Sequence, residues 1–324
     1  MAYIDVFNGD ADGICALLQL RHDQPRTSQL VTGVKRDIAL LDRVEAGSGD
    51  SVTVLDISME TNRDALARLL DAGASVFYAD HHFAGEIPER ENLQALINTA
   101  PDVCTSLLVN GHLQSRVARW AVVGAYGDNL HASADRLAGQ IALTETQRDQ
   151  LRNLGTYINY NGYGPTLADL HFEPATLFRR LQAFADPLQF ISGDAETFAR
   201  LEQGYLQDMA AAAATKPLHE TPHSAVFMLP DEAWARRVSG VFGNDLANQY
   251  PGRAHAVVTE RVDGGYLISV RAPLSNKTGA DEVCRAFPTG GGRKAAAGIN
   301  NLPEQQLDEF IAAFSGFYTR LLAG

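Results

Sequence analysis

The stretch DVFNGDADGICALL, residues Asp5 to Leu18, passes from an apolar strand-like run into a helix-like run and sets two carboxylates, Asp10 and Asp12, at the junction. The alternation continues beyond it. Short apolar runs YIDVF (Tyr3 to Phe7), LVTGV (Leu30 to Val34), SVTVLDI (Ser51 to Ile57) and SVFYAD (Ser75 to Asp80) are separated by DGICALLQLR, DIALLDRVEAG and ETNRDALARLLDAG. These separating segments carry apolar residues at i, i+3 and i+4, the stripe of an amphipathic helix, and the last two end at glycine, a residue favoured just past a helix C-terminus. Strands alternating with helices predict right-handed β-α-β units and a parallel sheet.

From Cys104 to Ala185 the strand signal fades and helical patterns such as SRVARWAVVGAYGDNL and TETQRDQLRNLGTYINY take over. LEQGYLQDMAAAAATKPLHETP, Leu201 to Pro222, begins as a good helix former and ends in polar residues and prolines, which suits a linker. A second alternation follows, with SAVFMLP, RRVSGVFGNDLANQYP, HAVVTERV, GYLISVRAP and ADEVCRAF, then a loop PTGGGRKAAAG and a final amphipathic helix from Pro303 to Leu322. The expected fold class is therefore α/β, an N-terminal parallel-sheet domain plus a smaller C-terminal α/β domain with a cleft between them. The expected limits are 1–185 for the first domain, 186–222 for a helical linker and 223–324 for the second.

Lys and Arg number 27 against 39 Asp and Glu, a formal charge of −12, so a long nucleic-acid duplex would meet net repulsion rather than a basic stripe. Small or short anionic ligands stay compatible with a locally positive pocket. Cys15, Cys104 and Cys284 are odd in number and far apart, which speaks against a disulfide framework and against a zinc site. No apolar run approaches the ~20 residues of a membrane span, and no basic and apolar leader opens the chain. A cytoplasmic protein without membrane contact is expected.

In open parallel sheets ligands sit beyond the carboxyl ends of the strands. The first run is followed by Asp10 and Asp12 in NGDADG, the third ends on Asp56 in VLDIS, and the fourth ends on Asp80, His81 and His82 in YADHHF. Asp128 in GAYGDNL lies near the end of an apolar helix. Carboxylates with one or two imidazoles suit Mn²⁺ or Mg²⁺, and a shared aspartate can bridge two ions ~3.5–4 Å apart. Gathered without a cation, the acids would repel one another and raise their pKa values. Taken singly, Asp10 or Asp12 would read as a helix N-cap or turn residue, and Asp56 as a helix start. Their joint occurrence at successive strand ends points to a metal site. NYNGYG, Asn159 to Gly164, reads as a turn, with a substrate-stacking loop as the alternative.

With these motifs the chain resembles the DHH phosphoesterase superfamily, named for the triplet seen here as Asp80-His81-His82. NGDADG is similar to the family's first motif, LDIS to its second, DHH to its third and GAYGDN to its fourth. The C-terminal part resembles the DHH-associated domain, with ISVRAPLSN and TGGGRKAAAG in the corresponding places. The matching subgroup includes RecJ-type exonucleases, oligoribonucleases of very short RNA, cyclic-dinucleotide phosphodiesterases and exopolyphosphatase-like proteins. The resemblance implies Mn²⁺ or Mg²⁺, two ions, held by Asp10, Asp12, Asp56, His81 and Asp128, with Asp56 and Asp128 as bridging ligands. His82 would face the substrate phosphate and Asp80 would orient an imidazole. Arg271 and the loop Gly290, Gly291, Gly292, Arg293 would bind the phosphate or terminal nucleotide.

Two positions depart from the family pattern. Many members carry a histidine four residues before the first motif aspartate, where this chain has Val6, and RecJ-like members carry an acid two residues before it, where this chain has Asn8. One metal position is thereby expected to be weak. After the glycines the family often has histidine, whereas Arg293 and Lys294 stand here and favour a phosphate-rich ligand. The implied activity is hydrolysis of phosphodiester bonds in short oligonucleotides or dinucleotides, from an end. A phosphoanhydride hydrolase of polyphosphate or pyrophosphate, and a nucleotide-binding regulator with weakened catalysis, are the alternatives. The expected partners are short nucleic acid, a dinucleotide or another small phosphate compound, and a homodimer is compatible with this reading.

Overall fold

A computed structural model describes residues 1–322. The chain divides into two compact units between Gln203 and Gly204. In the first unit the elements run β1 (Tyr3–Phe7), α1 (Ala11–Asp23), β2 (Gln29–Val31), β3 (Ser51–Leu55), α2 (Arg63–Asp71), β4 (Ser75–Asp80) and β5 (Leu93–Ile97). They are followed by α3 (Thr105–His112), α4 (Ala118–Gly127), α5 (His131–Gln140), α6 (Glu145–Asn161), α7 (Pro174–Gln182), α8 (Pro187–Gly193) and α9 (Ala195–Ala213), within which the division falls. All five strands are parallel, in the order β2-β1-β3-β4-β5. The chain leaves β1 towards one edge and returns at β3 on the other side of β1. The strand order therefore reverses between β1 and β3, where a crevice opens at the carboxyl ends of the strands.

On one face Ile4, Val6, Val52, Val54 and Tyr78 from the strands meet Leu66, Leu69 and Leu70 of α2. Across the sheet α1 packs against α3 and α4, and α4 against α6. The predicted helix DIALLDRVEAG is an exception, since only Leu40–Arg43 coil, as one 3₁₀ turn. Side chains from and beside α2 supply the reason. Asn62 Oδ1 accepts the Leu41 N–H, and the Arg68 guanidinium donates to the carbonyls of Leu41 and Val44. The backbone groups a longer helix would pair internally are satisfied from outside. The edge strand β5, LQALI, was not legible as a strand, because its outer position leaves its side chains half-buried or exposed and blurs the apolar pattern.

The second unit contains β6 (Pro217–Glu220), β7 (Ser224–Leu229), α10 (Ala233–Gln249), β8 (Ala254–Glu260), β9 (Tyr266–Arg271), α11 (Ala280–Arg285), β10 (Gly290–Gly292), β11 (Ala296–Leu302) and α12 (Leu307–Leu322). Its mixed sheet has the order β10-β11-β9-β8-β7-β6, with β7 and β8 parallel and the other pairs antiparallel. Val226, Val258, Ile268 and Val270 of this sheet pack with Phe310, Phe314 and Tyr318 of α12. Two segments differ from the sequence reading. PLHE, placed in the linker, is an edge strand on β7. The glycine run is strand β10 rather than a loop. Among the described residues no helix is long and apolar enough to cross a membrane.

Candidate metal centre

The turn from β1 to α1 is built around Gly9, where a Cβ would collide with the Gly33 carbonyl oxygen, so no other residue fits. Asp10 is the N-cap of α1, and its Oδ1 accepts the N–H groups of Asp12 at 3.0 Å and Gly13 at 3.1 Å. Asp12, in the first turn of α1, presents its carboxylate to the start of α3. Its Oδ2 accepts the Thr105 N–H at 2.7 Å, and its Oδ1 accepts the Ser106 N–H at 2.7 Å and the Ser106 hydroxyl. Asp56 closes β3 in a left-handed conformation with φ +58°. Its N–H donates to the Ala79 carbonyl at 3.1 Å, which ties the end of β3 to β4 and aims the carboxylate into the crevice. Asp128 follows α4, whose last residue, Gly127, lets α4 approach the start of α1. A Cβ there would collide with the Ala11 Cβ.

His81 stands among these acids. Its Nδ1 lies 3.0 Å from the Val103 carbonyl oxygen, and because a carbonyl only accepts, Nδ1 donates and Nε2 faces inward. Around Nε2 are Asp56 Oδ1 at 3.4 Å, Asp12 Oδ2 at 4.0 Å and Asp128 Oδ2 at 4.0 Å. Among the described residues, the donor atoms of Asp56, His81 and His82 all lie within 4.8 Å of one another and could hold an ion, with the carboxylates of Asp12 and Asp128 at the edge of this group. Their chemistry, carboxylates with imidazoles, suits Mn²⁺ or Mg²⁺. Beside them, His82 Nδ1 lies 2.8 Å from Asp80 Oδ1. Asp80 is fully buried, and its Oδ2 has no hydrogen-bond partner among the described residues.

The charges are unbalanced. Burial, followed by the Asp10 and Asp12 charges, holds the Asp56 carboxyl well above the usual range. Burial also opposes ionisation of Asp10, yet the Lys35 ammonium outweighs it and brings Asp10 down to about 2. At His82 burial acts against the proton, and the Asp80 hydrogen bond and charge prevail, so this imidazole titrates above its ordinary value.

Lys35 escaped the sequence reading. It lies just beyond β2, its Nζ donates to Asp10 Oδ2 and to Asn159 Oδ1 at 2.9 Å, and it rests 5.3 Å from the centre of the Tyr163 ring. Asn159 and Tyr163 belong to NYNGYG, whose first three residues are the end of α6 rather than a turn. Asn8 is fully used as well. Its Oδ1 accepts the Asp10 N–H and its Nδ2 donates to the Lys35 carbonyl, each at 3.2 Å. Val6 is fully buried in the apolar cluster on the α2 side of the sheet. The signal for Lys35 in the sequence is its place directly after the second apolar run, LVTGV, where the other runs carry acids and imidazoles.

In the second unit, the Arg271 guanidinium at the end of β9 bonds neutral oxygens: Asn244 Oδ1 at 2.6 Å, the Val270 carbonyl at 3.1 Å and the Gly240 carbonyl at 3.2 Å. Among the described residues its positive charge is held in place without a carboxylate on it. Gly290, Gly291 and Gly292 pair with Ile299, Gly298 and Ala297. Arg293 is exposed in the turn that follows, closed by its N–H on the Ala296 carbonyl at 2.9 Å.

No protein-family model and no curated protein matches the chain. Solved structures do. A DHH-domain protein described as a member of a family of ribosomal proteins aligns with TM-score 0.68 and 13% identity over 99% of this chain and 86% of that one. Exonuclease RecJ bound to manganese aligns with TM-score 0.62 and 19% identity over 98% and 90%. The chain has the DHH-domain fold. The pGpG-specific phosphodiesterase PggH of Vibrio cholerae shares this fold at TM-score 0.57 and 13% identity over 99% of both chains. Within the DHH fold of this chain, the five parallel strands carry Asp10, Asp12, Asp56, Asp80, His81 and His82 at or just beyond the carboxyl ends of β1, β3 and β4.

Proposed function

We propose that this chain is a metal-dependent phosphoesterase that hydrolyses phosphodiester bonds of short oligonucleotides or dinucleotides from an end. The observation that carries the reading is the inward-facing His81 Nε2, with carboxylates of Asp12, Asp56 and Asp128 within 4.0 Å of it. A Mn²⁺ or Mg²⁺ ion held by these four residues supplies Lewis acidity towards a phosphoryl oxygen and makes water more acidic. The chain's own residues do the rest. His82, whose affinity for a proton the Asp80 hydrogen bond and charge raise, faces an oxygen of the scissile phosphate and stabilises developing charge. Asp80 holds the ring in that orientation. In the second unit Arg271 grips a phosphate of the substrate and the Gly290–Arg293 hairpin supports it.

The acidic total charge favours a short substrate over a long polymer, which would gain from an extended basic track. RecJ, an exonuclease, and PggH, a pGpG-specific phosphodiesterase, share the fold and support a nucleotide substrate. The test is a panel of 5′-phosphorylated dinucleotides, cyclic dinucleotides and polyphosphate, each with Mn²⁺, Mg²⁺ or chelator. Turnover of a dinucleotide that needs the metal is expected. Hydrolysis of polyphosphate alone would replace the diester reading with a phosphoanhydride one, and tight nucleotide binding without metal-dependent turnover would mark a regulatory binder.

A further inference from the structure

The family resemblance implies two ions, and the first of them needs Asp10. We infer that the centre holds one divalent ion, on Asp12, Asp56, His81 and Asp128, and that the Lys35 ammonium on Asp10 stands in the place of a second. This rests on the metal-dependent reading above. Asp10 has little left to offer a cation. Its Oδ1 accepts two backbone N–H groups, and its Oδ2 takes the Lys35 ammonium.

The lysine is mounted, not draped across the site. Its backbone N–H donates to the Gly162 carbonyl at 2.8 Å, its carbonyl accepts from Asn8, and its ammonium is fixed a second time by Asn159 Oδ1. The loop leading to it presses the Gly33 carbonyl against Gly9, so the Lys35 segment and the Asp10 turn are built as one piece. The same rearrangement explains both departures from the family pattern. A histidine at position 6 would add a nitrogen ligand for a cation beside Asp10, but Val6 lies in the apolar core. An acid at position 8 would add an oxygen ligand, but Asn8 instead binds the backbone of Lys35. An ammonium supplies positive charge and hydrogen bonds without Lewis acidity, so the phosphoryl oxygens would meet one metal and one fixed cationic donor. A second divalent ion at Asp10 would have to settle directly against this ammonium and displace it, a like-charge contact at a buried carboxylate.

The test counts ions. Metal-free protein is titrated with Mn²⁺, the bound metal per chain is measured by calorimetry and elemental analysis, and electron paramagnetic resonance reports whether Mn²⁺ ions are coupled. The full-length wild-type chain is expected to bind one Mn²⁺, with the spectrum of an isolated ion. Lys35→Met, which leaves the oxygens of Asp10 and Asn159 without the ammonium, is expected to bind two, with a coupled spectrum. Two ions in the wild type, or one ion in a folded Lys35→Met, overturns the inference. Circular dichroism checks folding, and Lys35→Gln carries the comparison if the methionine variant does not fold. Wild-type protein that binds no Mn²⁺ sinks the metal-dependent reading itself, an outcome distinct from binding two.

Discussion

Asp80 Oδ1 sits 2.8 Å from His82 Nδ1, and this contact between a buried carboxylate and a half-buried imidazole decides what His82 can do. The carboxylate bonds Nδ1, leaves Nε2 for another partner and raises the imidazole's titration against the pull of burial. Asp80→Asn keeps a hydrogen-bond acceptor for the ring and removes the charge. We expect kcat to fall about tenfold to a hundredfold with Mn²⁺ content unchanged. Wild-type kcat in a folded Asp80→Asn protein would remove His82 from the chemistry.

Asp56→Asn separates the chemical role of this residue from its backbone role. Asparagine tolerates the left-handed conformation at φ +58°, whereas Asp56→Ala adds backbone strain of roughly 1–2 kcal/mol. Because Asp56 is pressed by burial and by the Asp10 and Asp12 charges, the metal-free Asp56→Asn protein is expected to melt at or above the wild-type temperature. Metal-dependent hydrolysis is expected to drop more than about a hundredfold. Retained activity would show that the ion does not use this carboxylate.

Val6→His restores the family's residue type without restoring a ligand. The side chain is fully buried between Val31, Val54 and the α2 leucines, where an imidazole lacks a partner and space. A loss of roughly 2–4 kcal/mol of stability is expected, read by chemical denaturation, with the Mn²⁺ count per chain unaltered. A gain of bound metal would mean that position 6 opens towards the site.

Arg271→Ala removes a charge held by Asn244 and Gly240 and bonded only to neutral oxygens. KM for a phosphorylated dinucleotide should rise about tenfold to a hundredfold, while Mn²⁺ affinity stays constant. Arg293→Ala, in an exposed turn, should raise KM by less. Unchanged kinetics in both variants would give the second unit some other task.

His255 sets a pH limit on the second unit. It is fully buried on β8, its Nε2 accepts from Arg253 Nε at 3.3 Å, and its Nδ1 has no partner among the described residues. Arg271 stands opposite it on β9, and the Tyr250 ring lies 6.0 Å away. Burial and then the Arg253 charge push the imidazole down to about 4. The unfolded chain, with an ordinary histidine near about 6.5, takes up the proton first. The stabilisation is therefore full above about pH 6.5 and is lost as pH falls towards about 4, by up to roughly 3 kcal/mol. The melting temperature of the wild type should fall between pH 7 and pH 5, and that of His255→Leu should fall less. Equal slopes would assign the acid sensitivity to other groups.

Much of the first unit was legible because its information is local. Period-two and period-3.6 patterns located four of the five strands with α1 and α2, and the rule that ligands gather past strand ends selected Asp10, Asp12, Asp56, Asp80, His81 and His82. The errors came where local pattern was answered by distant groups. DIALLDRVEAG has a helical stripe, but Asn62 and Arg68 satisfy its backbone from outside. PTGGGRKAAAG has the composition of a loop, but β11 offers its glycines a ladder partner.

By itself, the sequence determined the parallel-strand layout and which acids and imidazoles face the crevice, since strand periodicity and strand ends place them. The tertiary structure alone decided their counter-charge. A lysine after a strand is ordinarily a solvated residue, and nothing near Lys35 in the chain says otherwise. It becomes a half-buried counter-ion because folding brings it to Asp10, 25 positions away, and to Asn159, 124 positions away. The N-terminus of α3 reaches Asp12 across 93 positions in the same manner. Coulomb and hydrogen-bond energies depend on distance in space, and separation along the chain does not disclose it.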